Sequence, residues 1–346
     1  MRKKIVLLML TLAVLVCTVV YVKTAELPKI TLDQLRQISA QDQNAISTAH
    51  ITYIHERVLH QPFDKKITDI IGFELSEADR YILTEEEFFL DKDAKTAKQV
   101  ITDLRDVNML IADFNVPDTR LNRLNLDHSK IIMYQQDSVF RLNPDTPSAS
   151  FDKFSGTYDP DFSTLGVIPQ KLLEQDAQLS DIVMADRMLL QIERSREVPA
   201  GLVYVTIICD PSIGCRFRSI RWSVGSKVLR EIVADDYEDV NGIPYPFSYV
   251  SRRFDPETGN LDREDTYAIE QAEFGVEVSE DDCKAFVPKG TLITSTIPES
   301  PALPAGSGVI HSKVRTGKQM GMNEIVTLCD EAKELYEEQH QQTPVE

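Results

Sequence analysis

The stretch Asp236-Tyr237-Glu238-Asp239-Val240-Asn241-Gly242-Ile243-Pro244-Tyr245-Pro246-Phe247 decides how the chain is read. Asn241-Gly242 is a strong short-range hairpin signal, because both residues tolerate the positive φ that a tight turn between twisted strands requires. One strand therefore runs into the turn and a second leaves it, with Pro244 and Pro246 tolerated only at the second strand's beginning or on an edge. The flanking sequence repeats the pattern. Strands are expected at 189–195, 201–209, 217–224, 226–236, 245–254 and 265–278. Pro199-Ala200-Gly201 and Asp255-Pro256-Glu257-Thr258-Gly259 are further turns between them, so these strands form an antiparallel meander.

Upstream, Thr31 opens a helix with Gln34 three residues on, a capping-box spacing, and Leu32, Leu35 and Ile38 recur on one face up to about Ile46. Ile51-Thr52-Tyr53-Ile54 changes the texture to β-branched and aromatic, predicting a strand over 49–59. Further strands are expected at 80–90 and 97–103 around Asp91-Lys92-Asp93-Ala94, then a hairpin of 130–134 and 138–142 around Gln135-Gln136-Asp137. The stretch 144–166 reads as a long irregular connection, a candidate flap, and 172–177 as a short helix behind Pro169. Pro298, Pro301, Pro304 and Ala305-Gly306-Ser307 mark a linker, and Ile325, Leu328, Ala332 and Leu335 predict a last helix over 322–338. The expected organisation is a leader over 1–25, a β domain over 26–292, a linker over 293–321 and a helix with tail over 322–346.

Met1-Arg2-Lys3-Lys4 precedes eighteen uncharged residues, Ile5 to Val22, the pattern of an export signal or of an uncleaved N-terminal anchor. The positive residues stay cytoplasmic, so the rest of the chain is expected outside the inner membrane. Loss of Arg2, Lys3, Lys4 and Lys23 with the leader takes the formal charge from −18 to −22. So acidic a chain repels phosphate backbones and anionic headgroups, which excludes nucleic acid as a partner. Cys209, Cys215, Cys283 and Cys329 follow the leader, and the short Asp-Pro-Ser-Ile-Gly between the first two permits a Cys209–Cys215 disulfide; the alternative is two small buried thiols.

Catalytic signatures are missing: no GxSxG elbow, HExxH helix, Walker loop or dinucleotide fingerprint occurs. His50 and His60 share one face of their strand while His55 takes the other, so the three do not join at one metal. In Glu85-Glu86-Glu87 only the outer two share a face and could pair as acid and base, and a solvated edge explains them as well. No cofactor or metal is expected, and no enzymatic activity.

Two further stretches matter for their order: Cys209-Asp210-Pro211 at the end of one strand, and Phe286-Val287-Pro288-Lys289-Gly290-Thr291 after the last. Together with the leader, the first helix and strand, and the Asp236 to Phe247 hairpin, they resemble the LolA/LolB-like superfamily of envelope proteins, described as outer-membrane lipoprotein-sorting proteins, over about residues 30–292. The resemblance implies a mainly β (α+β) fold: a strongly curved antiparallel sheet, an incomplete barrel, with helices over its concave face and an apolar cavity between. It also implies binding of an apolar or lipidated ligand, a lipid or an acylated protein, in carriage or sensing. Ile51, Tyr53, Phe88, Leu90, Trp222 and Phe247 are the expected lining, with ordinary core packing as the alternative for each. The rival reading is an envelope protein-interaction module without lipid cargo.

Overall fold

The computed structural model describes residues 30–60, 80–105, 129–135, 138–144, 148–153, 166–168, 170–174, 176–185, 187–198, 201–279, 281–284, 286–297 and 310–341. The expected leader, the Pro-rich stretch 298–309 and the tip of the 135–137 turn lie outside these residues, as do most of the expected 144–166 flap and the tail after 341. No helix among the described residues is long and apolar enough to cross a membrane.

Helix α1, Leu32–Ala45, starts as its sequence dictates. The Thr31 side chain caps the Gln34 amide, and Gln34 Oε1 accepts from the Thr31 amide at 2.8 Å. Strands β1 (Thr48–Leu59), β2 (Tyr81–Asp91), β3 (Thr96–Asp103), β4 (Ser129–Gln135), β5 (Ser138–Asn143) and β6 (Ser148–Lys153) follow. Then come β7 (Gln178–Met184), β8 (Arg187–Val198), β9 (Gly201–Asp210), β10 (Arg216–Val224), β11 (Lys227–Val240), β12 (Ile243–Phe254) and β13 (Leu261–Phe274). β14 (Leu292–Ile297), β15 (Ile310–Arg315) and helix α2 (Met322–Gln341) complete the described elements.

All fifteen strands form one curved sheet, in the order β15-β14-β6-β5-β4-β3-β2-β1-β13-β12-β11-β10-β9-β8-β7. It consists of two meanders. β1 to β6 run outward in one direction; after β6 the chain crosses to the far edge, and β7 to β13 run back until β13 pairs antiparallel with β1. The deciding hairpin forms as read: Val240 pairs with Ile243, and Asn241 (φ 55°) and Gly242 (φ 83°) make a two-residue turn. Register shifts at Thr52/Tyr53, Phe217/Ser219 and Arg253/Phe254 bend the strands they interrupt. Asp42 on α1 pairs with Arg216 on β10, while the neighbouring Gln43 carbonyl accepts from Lys92 just after β2. β2 and β10 are five strand spacings apart, about 24 Å on a flat sheet; one helix end holds both across the curve.

Three stretches depart from the sequence expectation. The 144–166 connection contains β6, and the 293–321 linker contains β14, which pairs parallel to β6, and β15. β6 is short and mostly small and polar, so its own strand signal is weak and the neighbouring edge supplies the pairing; β14 carries Ile293, Thr294, Thr296 and Ile297, a strand texture that the prolines after it mask. The expected 172–177 helix is only a turn over Gln170–Leu172, and β7, a strand the sequence analysis does not mark, begins at Gln178.

Directly paired residues of adjacent strands lie on one face. Ile51, Phe88, Gln99 and Ile132 are successive partners from β1 to β4, and α1 packs on this face through Leu35. His50, Phe89, Lys98, Met133, Phe140 and Phe151 make the other row, whose outer residues bury against Ile325 and Cys329 of α2. The two helices therefore cover opposite faces: α1 the centre of one, α2 the outer strands of the reverse. Ile325→Ala, at a fully buried position, is expected to cost about 2–5 kcal/mol. Hydrogen exchange should show the loss in α2 and β4 to β6, with β9 to β12 still protected.

Candidate functional site

Three places on the sheet combine chemistry or space. The first is the expected cavity lining. Ile51, Tyr53, Phe88, Leu90, Trp222 and Phe247 do share the α1 face, and Ile51, Phe88, Leu90 and Tyr53 are 0%, 2%, 3% and 5% exposed. They pack with Leu35, Ile46, Leu173 and Phe274 in the main core, while Trp222 and Phe247 are half-buried against it. Arg230 lies over the Trp222 ring, 5.4 Å from its centroid. Side chains of the protein itself thus fill the space around the first four.

The second place is a buried polar network on that same face. His55 Nδ1 lies 2.7 Å from Glu86 Oε1, and His55 Nε2 lies 3.0 Å from Asp265 Oδ1. Tyr53 Oη donates to Glu86 Oε2 at 2.9 Å, Gln99 Nε2 donates to the same oxygen at 2.6 Å, and Thr84 Oγ1 donates to Oε1 at 3.0 Å. Asp265 accepts from Arg57 Nε at 2.5 Å; Arg263 Nε lies 2.7 Å away as an ion pair whose angle makes no hydrogen bond. Tyr267 stacks on His55 with centroids 4.4 Å apart, and Tyr249 stacks on Tyr267 at 4.3 Å. Burial works against a charged imidazole here, but the hydrogen bonds to Asp265 and Glu86 outweigh it and hold the pKa above 6.5. Burial alone would raise both carboxyls. Hydrogen bonds from His55 and Arg57 and the guanidinium charges hold Asp265 down to about 2, and the His55 hydrogen bond and charge lower Glu86.

Alternation placed His50 and His55 on opposite faces, and the structure agrees: His50 contacts Glu87 at 2.9 Å and stacks on Phe89. The acidic triplet needs correction. The middle residue, Glu86, is the one that makes a buried partnership, while Glu87 goes to His50 on the reverse face. The sequence signal was there in the alternation, but which strand opposes which was not. His55, Glu86 and Asp265 are 6%, 4% and 1% exposed, so this acid–base cluster is closed to a substrate.

The third place is a cleft of about 670 Å³ at the end of the sheet where β4 meets the β2–β3 turn. Met133, Tyr134, Val278, Cys283, Phe286 and Met322 give it an apolar wall, and Asp91, Lys284, Asn323 and Glu324 stand among its polar lining. Phe286 is 54% exposed, a large apolar side chain open to solvent at the cleft. The sequence marks Phe286 only as part of a family pattern and gives no sign of Met133 and Met322, which converge from a strand and a helix beside the Gln135–Asn323 hydrogen bond, itself spanning 188 positions.

Cys209 and Cys215 are both buried free thiols here. Burial pushes both pKa values up, and the neighbouring Cys215 adds to the rise at Cys209.

No family model and no curated protein matches this chain. Among solved structures it is similar to a DUF1329 family protein from Desulfovibrio piger (TM-score 0.42, 8% identity, 72% of this chain and 95% of that one). It is also similar to a LolA superfamily protein from Nitrosomonas europaea (TM-score 0.39, 6% identity, 73% and 97%). A third is an uncharacterized conserved protein from Thermus thermophilus (TM-score 0.30, 9% identity, 72% and 91%). The fold is defined by the strand register of this chain itself.

Native labelling with a maleimide should modify Cys283, half-buried at the cleft, before Cys209, Cys215 or Cys329, which are buried. Peptide mapping over a time course checks the order.

Proposed function

We propose that this is a non-catalytic protein of the cell envelope that binds an apolar or lipidated ligand, and that the ligand occupies the cleft between β4, the 278–286 segment and the start of α2. The carrying observation is the cleft itself: about 670 Å³ with Met133, Tyr134, Phe286 and Met322 on its wall, within the range of small-molecule sites. Each methylene removed from water there contributes about 0.8 kcal/mol, so an acyl chain gains affinity without dedicated polar contacts. The closed His55 network supports the non-catalytic part of the reading, since its carboxylates and imidazole already satisfy one another. The leader pattern of residues 1–25 supports location outside the inner membrane, released or anchored.

One observation favours the rival reading, a protein-interaction module. The α1 face, where the family resemblance puts a cavity, is filled around Ile51, Tyr53, Phe88 and Leu90 by the core.

Native mass spectrometry of the chain purified from its envelope, with uptake of a fluorescent fatty acid, separates the two. Binding at near one-to-one stoichiometry, lost by tenfold or more in Phe286→Asp and Met322→Glu, is the expected result. Loss in Trp222→Asp with both cleft variants unaffected would move the ligand to the α1 face. An empty protein that takes up no fatty acid would overturn lipid binding and leave the interaction module.

A further inference from the structure

The two meanders meet along one strand pair, β1 with β13, and β1 also carries β2 on its other side. His55 sits on that central strand with one ring nitrogen facing Glu86 of β2 and the other facing Asp265 of β13. An ionised carboxylate only accepts hydrogen bonds, and a neutral imidazole has one N–H and one lone pair. A neutral His55 therefore satisfies one neighbour and sets a lone pair against the other's oxygen, in a site where neither reaches water. The doubly protonated ring satisfies both.

We propose that His55 is a proton-operated latch across the seam between the two meanders: protonated, it ties β2 to β13 through β1, and deprotonated, it releases the β13 side. The groups around it decide which hydrogen bond breaks. Tyr53 and Arg57 face the cluster from β1, Glu86 from β2, Gln99 from β3, Asp265, Arg263 and Tyr267 from β13, and Tyr249 from β12. Asp265 keeps two guanidinium partners when His55 loses its charge. Among the described residues, Glu86 has only neutral donors besides His55: Tyr53, Gln99 and Thr84. The remaining proton therefore stays on Nδ1 facing Glu86, and the hydrogen bond that breaks is the one from Nε2 to Asp265.

His55 has its pKa raised, so its contribution is complete below 6.5 and is lost as pH rises through the higher folded value. The carboxylates have theirs lowered, so their contribution is complete above the usual 3.8 and 4.5 and is lost on acidification. The seam is tightest between about pH 4.5 and 6.5 and loosens on the alkaline side. This latch lies on the opposite face from the row that carries Met133 and stands independently of the ligand proposed for the cleft.

Hydrogen exchange of the full-length chain in detergent, corrected for intrinsic rates, tests it. Between about pH 6 and pH 9, protection in peptides covering β1 and β13 should fall by about tenfold or more, with β8 to β10 unchanged. In His55→Gln the same peptides should sit at the looser level across the range. Should that variant fail to fold, the imidazole ¹⁵N shifts of the wild-type chain decide: both nitrogens protonated at pH 6, and Nδ1 alone above the transition. Equal pH dependence in His55→Gln, a uniform loss over all strands, or a neutral ring at pH 6 would each overturn the latch.

Discussion

The pairing of β1 with β13 is the contact on which the rest of the sheet depends. It joins residues more than two hundred positions apart, from Ala49 opposite Phe274 to Leu59 opposite Arg263. Among the described residues neither meander alone has a second sheet to pack against, and an open sheet exposes both faces to water. Zipping the two along β1 and β13 makes one surface wide enough to curve around α1, and the main core forms from strands of both meanders. Closure of so long a loop costs entropy that only extensive burial offsets. Eleven paired positions in the seam, with Ile51, Tyr53 and Ile269 buried along it, are where that burial begins.

Much of this was legible in the sequence, because a hairpin signal and a period of two are local properties. Asn241-Gly242, the Thr31 cap and the alternation of Ile51 and Tyr53 each say what their own segment does. β6, β14 and β15 were not legible in this way: β6 is mostly small and polar, and although β14 carries Ile293, Thr294, Thr296 and Ile297, it runs into a Pro-rich stretch that reads as a linker, and its β6 partner lies far along the chain. The parallel pairing of β14 with β6 is such a case, since Leu292 opposes Ser148 with no turn between them to announce it.

The candidate site divides similarly. The six expected lining residues lie on one face, but alternation reports only which residues of a single strand lie together; their common face across four strands comes from the register. That four of them are core follows from how much chain folds over that face, which alternation does not report. The His55 network depends on cross-strand register twice over, to Glu86 and to Asp265, so the residue types were visible but their meeting was not. A buried ionic cluster is weak evidence for stability, because desolvation offsets much of its attraction. Its place on the seam suits it instead to fixing register, since a one-residue slip of β1 against either neighbour would strand a charge on the wrong face.

The two faces differ: the core fills the space around Ile51, Tyr53, Phe88 and Leu90 on the α1 face, and a cleft with an apolar wall lies at the sheet end beside α2. Diffraction from crystals soaked with a brominated alkyl chain tests that division directly. Anomalous bromine density between Met133, Phe286 and Met322 is the predicted result. Density on the other face, against Trp222 and Phe247, would contradict it.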